Sequence, residues 1–516
     1  MVAGCGGTRP AAAPDAAEPD ELVVSTADGA VRGTAADGVR VFQGIPYAAA
    51  PTGALRWQPP VDPAPWRTVR EATAPGLRCI QDVRLDPDYG RPTGEDCLNL
   101  TVWTPEGARP GSPRPVMVWI HGGGFLNGSA DIYDSRWLAA RGDIVVVTVN
   151  YRLGALGFLA HPALAERPGA APDPGNYGLA DQQAALRWVR DNIADFGGDP
   201  AKVTIAGESA GAMSVCDHLI APESRGLFRA AIMQSGPCQA QAALPAAERI
   251  SIDYAARIGC PDRASAARCL LELPPDRLRG GPPYVRIGAN TLTGPVTGTQ
   301  RLPGAPPAFA ARGAAARVPM LIGSTADEFT LSVAMSYLRT GTMASYRTLL
   351  ADTFGYQAPA VAAEYPPSRY GGSVGLAYAT AVGDGVFACP IDGLAADLAR
   401  RSPVYAYEFA DRTAPVPEPI RRAPFAVGAG HALELRYLFD IGGAPALDPA
   451  QRALSEEMIA YWSRFVTAGT PDVSGQPEWA PLNPQRPQRM SLRTGGSVMT
   501  DGFADRHRCG FWAALG

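Results

Sequence analysis

The segment Val203–Ser214, with the sequence VTIAGESAGAMS, decides the fold that this chain is expected to adopt. Uncharged β-forming residues lead into Gly-x-Ser-x-Gly and then into residues that suit a helix, which is the pattern of a nucleophile elbow. The tight turn of an elbow holds Ser209 in a strained conformation, with Gly207 and Gly211 letting strand and helix approach closely. A Gly-Ser loop without a catalytic role is the alternative, because a chain with 57 glycines contains such patterns by chance.

The composition is that of an ordinary globular protein. The 516 residues are 46% hydrophobic and 19% charged, and the net charge is −4. Neither sign of charge forms a long run, so the sequence predicts no nucleic-acid surface. No apolar stretch approaches the roughly 20 residues of a transmembrane helix, so no transmembrane segment is expected. Length alone suggests about three domains, and one large α/β domain with long insertions is equally compatible with it.

Continuous apolar runs predict the buried strands of a sheet. Alternating buried strands and helices predict a mainly parallel sheet with helices on both faces. Nearer the N-terminus, Leu22–Thr26 and Val39–Phe42 predict antiparallel strands. Apolar residues at helical spacing predict a helix over Gln182–Phe196. Besides the strand at Val203, the buried strands are expected at Val116–Ile120, Asp143–Val149, Val318–Gly323 and Val404–Phe409.

A glycine loop, His121–Phe125 with the sequence HGGGF, directly follows the strand that ends at Ile120. Glycines at a strand end let backbone N–H groups face a ligand without steric cost. Acyl transfer needs such donors, because its tetrahedral intermediate develops a negative oxygen. Gly123 and Gly124, with Ala210 after the elbow serine, are therefore the candidate donors. A flexible glycine turn is the alternative.

A serine nucleophile also needs a base, and the chain has five histidines. His431 lies late in the chain, in a glycine-rich loop after a strand. In folds built around a nucleophile elbow the catalytic residues follow the order Ser, acid, His, and His431 fits the last position. The other four are less suitable. One heads the glycine loop, one precedes a proline, one lies more than two turns along the helix after the serine, and one is in the C-terminal tail: His121, His161, His218 and His507. Elimination therefore favours His431.

The acid that serves the histidine must lie between Ser209 and His431. Asp327 and Glu328 follow a predicted strand at its carboxyl end, where catalytic residues lie on such sheets. Asp384 is a third candidate. Chemistry alone does not choose among the three, and an ordinary surface carboxylate is the alternative for each.

Ordered motifs along the chain resemble those of the type-B carboxylesterase family of α/β-hydrolases, which includes the cholinesterases. The resemblance covers the chain from about residue 22 to the C-terminus. It implies an α/β-hydrolase fold with a large, mostly parallel central sheet, helices on both faces and long insertions, as a single domain over residues 22–516. Besides the elbow, the matching motifs are Phe42–Ala48, Glu95–Leu100, His121–Phe125, Asn150–Arg152, Gly157–Leu159, Gly175–Leu179, Asp181–Gln182, Phe196–Pro200, Gln234–Gly236, Tyr461–Trp462 and Phe465.

The resemblance also implies roles for individual residues. It makes Ser209 the nucleophile, His431 the base and Glu328 the acid, with no metal or organic cofactor. The implied oxyanion hole is formed by Gly123, Gly124 and Ala210, and the groups implied near the histidine are Glu208 and Ser235. The family usually has glycine after the acid, where this chain has Phe329, and that departure bears on the local turn.

Six of the nine cysteines are paired by the resemblance. Three such pairs predict an oxidising compartment, and therefore an exported protein that is extracellular or on the cell surface. Six free thiols in a cytosolic esterase are the alternative. Cys216 and Cys238 are left unpaired and are expected to be buried. The implied pairs are Cys79 with Cys97, Cys260 with Cys269, and Cys389 with Cys509.

Residues 1–21 form an Ala/Pro-rich segment that is expected to be a flexible tether. Within it, Val2–Cys5 resembles a bacterial lipobox, although no basic or apolar region precedes it. Either the segment carries a lipid anchor at Cys5 and its start is placed too far downstream, or the match is a chance one.

Together these features predict a serine carboxylic-ester hydrolase that acts through a Ser-His-Glu triad and an acyl-enzyme. The expected partners are small-molecule esters, small or medium in size and neutral. A lipase that acts on longer acyl chains is one alternative. A non-catalytic, cholinesterase-like adhesion module is another, but such proteins usually lack a triad residue, and this chain has all three.

Overall fold

The computed structural model describes residues 21–82, 91–167, 174–287, 290–340 and 344–515. Most of the predicted tether, with Cys5, lies outside the described residues. The first strands are β1 (Val23–Thr26), β2 (Gly29–Arg32), β3 (Thr34–Ala36), β4 (Val39–Pro46), β5 (Arg70–Glu71), β6 (Arg78–Cys79), β7 (Thr93–Gly94), β8 (Asn99–Pro105), β9 (Arg114–Ile120) and β10 (Val145–Val149). They continue with β11 (Gly198–Glu208), β12 (Ala230–Gln234), β13 (Ala242–Ala243), β14 (Val285–Ile287), β15 (Asn290–Leu292), β16 (Val296–Thr297), β17 (Met320–Thr325), β18 (Val404–Phe409), β19 (Arg489–Leu492) and β20 (Val498–Thr500).

The helices lie between these strands and after them. The first eight are α1 (Arg136–Gly142), α2 (Gly154–Phe158), α3 (Pro162–Ala165), α4 (Tyr177–Asn192), α5 (Ala210–His218), α6 (Leu244–Arg257), α7 (Ala266–Glu272) and α8 (Pro306–Ala311). The others are α9 (Thr330–Thr340), α10 (Tyr346–Phe354), α11 (Ala358–Glu364), α12 (Val374–Val382), α13 (Cys389–Ala399), α14 (Pro449–Ala468), α15 (Phe503–Arg506) and α16 (Cys509–Leu515). A π-helical turn, Gly383–Ala388, joins α12 to α13.

Eleven strands form the central sheet, in the order β20-β19-β18-β17-β12-β11-β9-β10-β8-β4-β3. The seven strands from β19 to β10 in that order run parallel to one another. Antiparallel pairs lie only outside this block, at the two edges of the sheet. The predicted, mainly parallel sheet is therefore confirmed, with the elbow strand β11 near its centre.

Helices cover both faces of the sheet. Successive side chains of a strand point to opposite faces, so apolar residues on both faces must be buried. In β9, Val116, Val118 and Ile120 pack into a core that includes side chains of α4 and α5. The alternating residues Met117 and Trp119 pack into a second core, with side chains of α1 and α14. This arrangement confirms the prediction of helices on both faces.

Both strands predicted near the N-terminus are present, and both pair antiparallel. The strand predicted over Leu22–Thr26 is β1, which pairs with β2 in a small separate sheet. The strand predicted at Val39 is β4, which pairs with β3 across the two-residue turn Asp37-Gly38, in which both residues have positive φ. Asp-Gly is a strong hairpin signal, because such turns require this backbone conformation. The signal lay in the sequence and fixes the pairing of β4.

The helix expected over Gln182–Phe196 is shifted toward the N-terminus. It begins at Tyr177 and ends at Asn192. Beyond it, the Gly198 N–H donates to the Ile193 carbonyl at 2.8 Å, and Gly197 has a φ of 84°. Glycine in the left-handed region after a helix is a common way to end it. The apolar periodicity continued past this stop and extended the prediction too far.

Four disulfides cross-link the described part of the chain. Three are the pairs that the resemblance implies. The fourth joins Cys216 to Cys238, with their Cα atoms 6.0 Å apart. The expectation that these two cysteines are unpaired was therefore wrong, although both are buried as expected. Cys216 lies on α5 and Cys238 follows β12, and the parallel pairing of β11 with β12 brings the two segments together.

In the described part of the chain, one helical run, Val374–Ala399, has the length and hydropathy of a membrane-spanning helix. It comprises α12, the π-helical turn and α13, and 61% of its apolar window is buried inside the fold. A buried core helix passes the same test, so composition does not distinguish the two. No continuous apolar stretch marks this run in the sequence, because Asp384 and Asp392 interrupt its apolar residues.

Candidate active site

The elbow forms as predicted between β11 and α5. Ser209 has φ 55° and ψ −120°, a conformation that non-glycine residues rarely adopt. Its N–H donates to the Gln234 carbonyl at 2.8 Å, which ties the strained turn to β12. A side chain on Gly207 would lie 2.5 Å from the Gly211 carbonyl carbon, and one on Gly211 would overlap the Ile120 carbonyl oxygen. Both glycines are therefore required by the close approach of strand and helix.

The glycine loop packs against this elbow. A Cβ added to Gly122 would meet Glu208 and would lie 3.2 Å from the Ser209 Cβ. Gly123 has a φ of 104° and a backbone too close to Asn127 to accept a side chain. Among the described residues, no acceptor pairs with the N–H of Gly123 or Gly124. The Ala210 N–H opens α5, where an amide has no partner inside the helix. Gly122 thus brings the loop that carries two of the predicted donors against the elbow, and the third donor, Ala210, follows Ser209 directly.

His431 and Glu328 are joined by a hydrogen bond. Glu328 Oε2 lies 2.6 Å from His431 Nδ1, and its other oxygen accepts from the Thr325 N–H at 2.8 Å. The Glu328 side chain is almost fully buried, and the His431 ring is 19% exposed. The other ring nitrogen, Nε2, lies 3.1 Å from Glu208 Oε1, and Glu208 immediately precedes Ser209. The structure thus brings His431 between Glu328 and the elbow.

The two other candidate acids have different partners. The Asp327 carboxylate pairs with Arg412 at 2.8 Å and accepts from the Ala429 N–H at 3.0 Å. Asp384 pairs with His507, 2.6 Å away. Of the three candidates, Glu328 alone is hydrogen-bonded to His431 among the described residues.

A third buried carboxylate lies near the histidine, and the sequence did not predict it. Glu434 is fully buried and its Oε1 accepts from Gln234 Nε2 at 3.2 Å. The same Gln234 accepts from Trp462 Nε1 at 2.9 Å, which links α14 to the site. Gln234 and Trp462 lie in motifs that carried the resemblance, and Glu434 follows His431 by three residues. This proximity was the signal available in the sequence.

The three buried glutamates set the electrostatics of the site. Burial lowers the pKa of His431, but Glu208 and Glu328 outweigh burial and raise that pKa above its ordinary value of 6.5. Burial raises the pKa of Glu208, and the neighbouring Glu328 raises it further. Burial and these two carboxylates raise the pKa of Glu434 as well. The site therefore favours a proton on the imidazole and disfavours negative charge on Glu208 and Glu434.

The histidines that elimination set aside have structural partners. The His121 ring stacks on Tyr151 at 4.4 Å, and burial lowers its pKa to about 4. His161 accepts from the Ala163 N–H and caps α3. His218 ends α5, where it contacts Ser224 and Gln182. His507 is buried between Asp384 and Glu408. Each of the four is occupied away from Ser209.

The surroundings of Ser235 and Phe329 bear on two further expectations from the sequence. Ser235 is buried at the end of β12 with φ 54°, and its N–H donates to the Gly323 carbonyl at 2.8 Å. Its hydroxyl has no partner among the described residues, so the structure does not connect it to His431. Phe329 is buried and packs against Tyr378 and Phe387. The turn after Glu328 accommodates this ring, and α9 begins at the next residue.

In the described ranges, no cluster of three or more His, Cys, Asp or Glu side chains is arranged to hold a metal ion. The chemistry of the site is that of a hydroxyl, an imidazole, carboxylates and backbone amides.

The chain is similar to known esterases over nearly its whole length. A profile of the Carboxylesterase family matches residues 20–512. The chain is 37% identical to the fumonisin B1 esterase of Sphingopyxis macrogoltabida, a match that covers 95% of this chain and 90% of that protein. It is 35% identical to an acylcarnitine hydrolase of Rattus norvegicus, with coverages of 93% and 88%. A pyrethroid hydrolase of the same organism is 34% identical, with coverages of 91% and 85%.

The fold is shared as well. A thermophilic PNB esterase of known structure superposes with a TM-score of 0.81 at 30% identity, covering 95% of this chain and all of that one. The predicted α/β-hydrolase fold is thereby confirmed. The chain belongs to the carboxylesterase family and is a hydrolase of carboxylic esters.

Proposed function

We propose that this carboxylesterase works through a triad of Ser209, His431 and Glu328 and a covalent acyl-enzyme. The observation that carries the proposal is the 2.6 Å contact of His431 Nδ1 with Glu328. It is supported by the position of the other ring nitrogen beside Glu208, the residue that precedes Ser209. A nucleophile, a base and an orienting acid in this order form the arrangement that activates a serine hydroxyl.

In the acylation step, His431 Nε2 takes the proton of the Ser209 hydroxyl while the serine oxygen attacks the carbonyl carbon of the ester. Glu328 fixes the Nδ1–H tautomer and stabilises the imidazolium that forms. The tetrahedral intermediate collapses when the carbon–oxygen bond to the alcohol breaks. The alcohol leaves with the proton from His431, and the acyl group stays on Ser209.

The developing oxyanion is bound by the backbone N–H groups of Gly123, Gly124 and Ala210. These donors belong to a rigid loop and to the start of α5, so they need little reorganisation when charge develops. Removing one such donor in a serine hydrolase typically costs about 10²–10³ in turnover.

In the deacylation step, water attacks the acyl-enzyme by the same route. His431 takes a proton from the water, the oxyanion hole holds the second tetrahedral intermediate, and the acid leaves as the proton returns to Ser209. The cycle needs no metal or organic cofactor.

The proposed substrates are small or medium neutral esters. A panel of p-nitrophenyl esters of increasing acyl length, assayed with purified wild type and with Ser209→Ala, tests both parts of the proposal. We expect a maximum of kcat/KM at short or medium chains and a loss of about 10⁶ in turnover for Ser209→Ala. A folded Ser209→Ala variant that retains wild-type turnover excludes the triad. Fumonisin B1, an acylcarnitine and a pyrethroid, after which the relatives are named, form a second panel.

Two alternatives are separated by the same assay. A lipase would prefer long acyl chains and would gain activity when the substrate forms an emulsion. An adhesion module would hydrolyse none of the esters. The family relationship and the Glu328–His431 pair favour the esterase.

We also propose that the protein functions outside the cytoplasm, as a single domain over residues 22–516 preceded by the tether. Four disulfides support an oxidising compartment. Fractionation of the producing cell tests this location, and finding the protein in the cytoplasm with reduced cysteines contradicts it. Intact mass tests the lipid anchor at Cys5.

A further inference from the structure

The C-terminal segment contains a buried ion cluster that the proposed reaction does not use. His507 is 6% exposed, with Nδ1 2.6 Å from Asp384 and Nε2 2.7 Å from Glu408. Burial lowers the pKa of His507, but the two carboxylates outweigh burial and raise that pKa to about 9. Arg506 donates to Glu408 at 2.9 Å, and the Tyr365 hydroxyl donates to Asp384 at 2.9 Å. The cluster ties α15 and α16 to two other parts of the fold.

One of those parts is the π-helical turn Gly383–Ala388. Asp384 is its second residue, and the disulfide of Cys389 with Cys509 closes its C-terminal end. Such turns interrupt an α-helix at a cost in hydrogen-bond geometry and often lie at functional sites. The ion cluster and the disulfide therefore hold the turn at both ends.

The turn packs directly on the proposed acid and base. A Cβ added to Gly383 would lie 3.5 Å from the Glu328 Cβ. The Phe387 ring meets the His431 ring edge-on, with centroids 5.2 Å apart and an angle of 64° between the planes. Phe329, at the position where the family usually has glycine, packs against Phe387, with ring centroids 6.3 Å apart. The imidazole is thus bounded by Glu328, by Glu208 and by one aromatic ring.

We propose that Phe387 is a positioning residue for His431, and that the cluster of His507, Asp384 and Glu408 holds Phe387 in place. The inference rests on the proposed function, because it assigns to Phe387 the orientation of the base. The contacts with Glu328 at Nδ1 and Glu208 at Nε2 lie at the two ring nitrogens and leave the faces of the imidazole free to tilt. A ring packed on its side removes this freedom and keeps water from that side of the ring.

The first expected effect is on turnover. Removing the Phe387 ring lets His431 leave its productive orientation, so kcat falls while KM stays within about twofold. Small misplacements of catalytic groups cost up to about 10²-fold in rate, and we expect about a tenfold loss for Phe387→Ala. Phe387→Leu fills part of the space with an apolar group and should recover part of the loss.

The second expected effect is on the pH profile. The charged groups that face His431 are Glu208, Glu328 and Glu434, and all three remain in the variant. Water that enters in place of the ring weakens the attraction of these carboxylates for the imidazolium. Since that attraction outweighs burial, the pKa of His431 should fall toward its ordinary value of 6.5. The acidic limb of the kcat/KM profile should therefore move to lower pH in Phe387→Ala, and by less in Phe387→Leu.

Phe196→Ala is the matched control for this ring. Phe196 is also fully buried and packs edge-on against another ring, that of Phe42 at 4.9 Å. It lies at the opposite end of β11 from the elbow, so its loss should lower the melting temperature without changing kcat or the pH limb. If Phe387→Ala does not fold, Phe387→Leu carries the comparison alone.

His507→Gln tests the anchoring cluster. It removes the imidazolium between two carboxylates and should produce the same two changes as Phe387→Leu, with unchanged KM. His161→Gln is its control, since His161 is equally buried and caps α3. Phe387 and His507 variants that lose melting temperature but keep wild-type kcat and the wild-type pH limb would overturn the proposal. Ser209→Ala, measured in parallel, separates this failure from a failure of the triad, because a fully active Ser209→Ala would refute the triad itself.

Discussion

His431 and Glu328 are joined twice across two different loops. Their side chains meet at 2.6 Å, and the His431 N–H donates to the Glu328 carbonyl at 3.2 Å. Glu328 follows β17, and the loop of His431 follows β18, the parallel neighbour of β17. Because the carboxyl ends of parallel strands meet at one edge of the sheet, the two loops come together there. The backbone contact fixes which residue of the acidic pair Asp327-Glu328 faces the imidazole.

This pairing predicts unequal effects for the two neighbouring acids. Glu328→Gln keeps the shape but removes the charge that holds the tautomer and stabilises the imidazolium, so kcat should fall by about 10²–10⁴. Asp327→Asn weakens the contact with Arg412 on the surface and should leave kcat near that of wild type. Steady-state kinetics beside melting temperatures separates lost chemistry from lost folding. A folded Asp327→Asn variant with the larger loss of kcat would assign the acid to Asp327.

Local sequence was sufficient to predict the elbow, because the requirement for small residues around Ser209 lies within a few residues of it. The meeting of Glu328 with His431 was predictable from strand order and from the resemblance, although they are 103 residues apart. Chemistry alone left Asp327 and Asp384 open, since only the folded chain shows that each pairs with another cation.

Long-range side-chain contacts were not predictable in the same way. The hydrogen bonds from Glu434 through Gln234 to Trp462 join three elements that are distant in sequence. The pairing of Cys216 with Cys238 depends on the approach of α5 to the loop after β12. Neither feature has a local signature, whereas the hairpin of β3 and β4 has one in Asp37-Gly38.

Alanine is expected to have opposite effects on stability at Gly211, in the elbow, and at Gly393, in α13. In Gly211→Ala the new methyl group would overlap the Ile120 carbonyl oxygen, so either β9 or α5 must move. We expect a loss of more than about 4 kcal/mol in the free energy of unfolding, or no folded protein. Gly393→Ala is the control, because Gly393 lies within α13 and a Cβ there meets no atom within 4 Å. Alanine should stabilise that helix by up to about 1 kcal/mol, and denaturant unfolding measures both. A stable, active Gly211→Ala would contradict the close packing of the elbow.

The fourth disulfide is expected in the native protein. Peptide mapping without reductant should recover Cys216 linked to Cys238 besides the three other pairs. Replacing both by alanine opens a cross-link with a sequence separation of 22 residues and should lower the free energy of unfolding by about 3 kcal/mol. Cys260→Ala with Cys269→Ala is the comparison, since that shorter loop of 9 should cost less. Free thiols at Cys216 and Cys238 in oxidised native protein would contradict the pairing.

The carboxylates around His431 predict how activity depends on pH. Catalysis needs the neutral imidazole, and the pKa of His431 is raised by Glu208 and Glu328 in spite of burial. Activity should therefore fall as the pH drops through a pKa above the ordinary 6.5 of histidine. Burial also raises the pKa of Glu208. The acidic limb of the pH profile therefore reports the coupled titration of His431 and Glu208.

Glu208→Gln tests this origin of the limb. It removes the negative charge nearest Nε2, which destabilises the imidazolium and lowers the pKa of His431, so the acidic limb should move to lower pH. Glu434→Gln is the matched control, because Glu434 bonds to Gln234 and not to the imidazole, and it should move the limb by less. Profiles of kcat/KM from pH 5 to 9 measure both shifts. A limb that stays in place or moves to higher pH in Glu208→Gln would mean that Glu208 does not stabilise the charged imidazole.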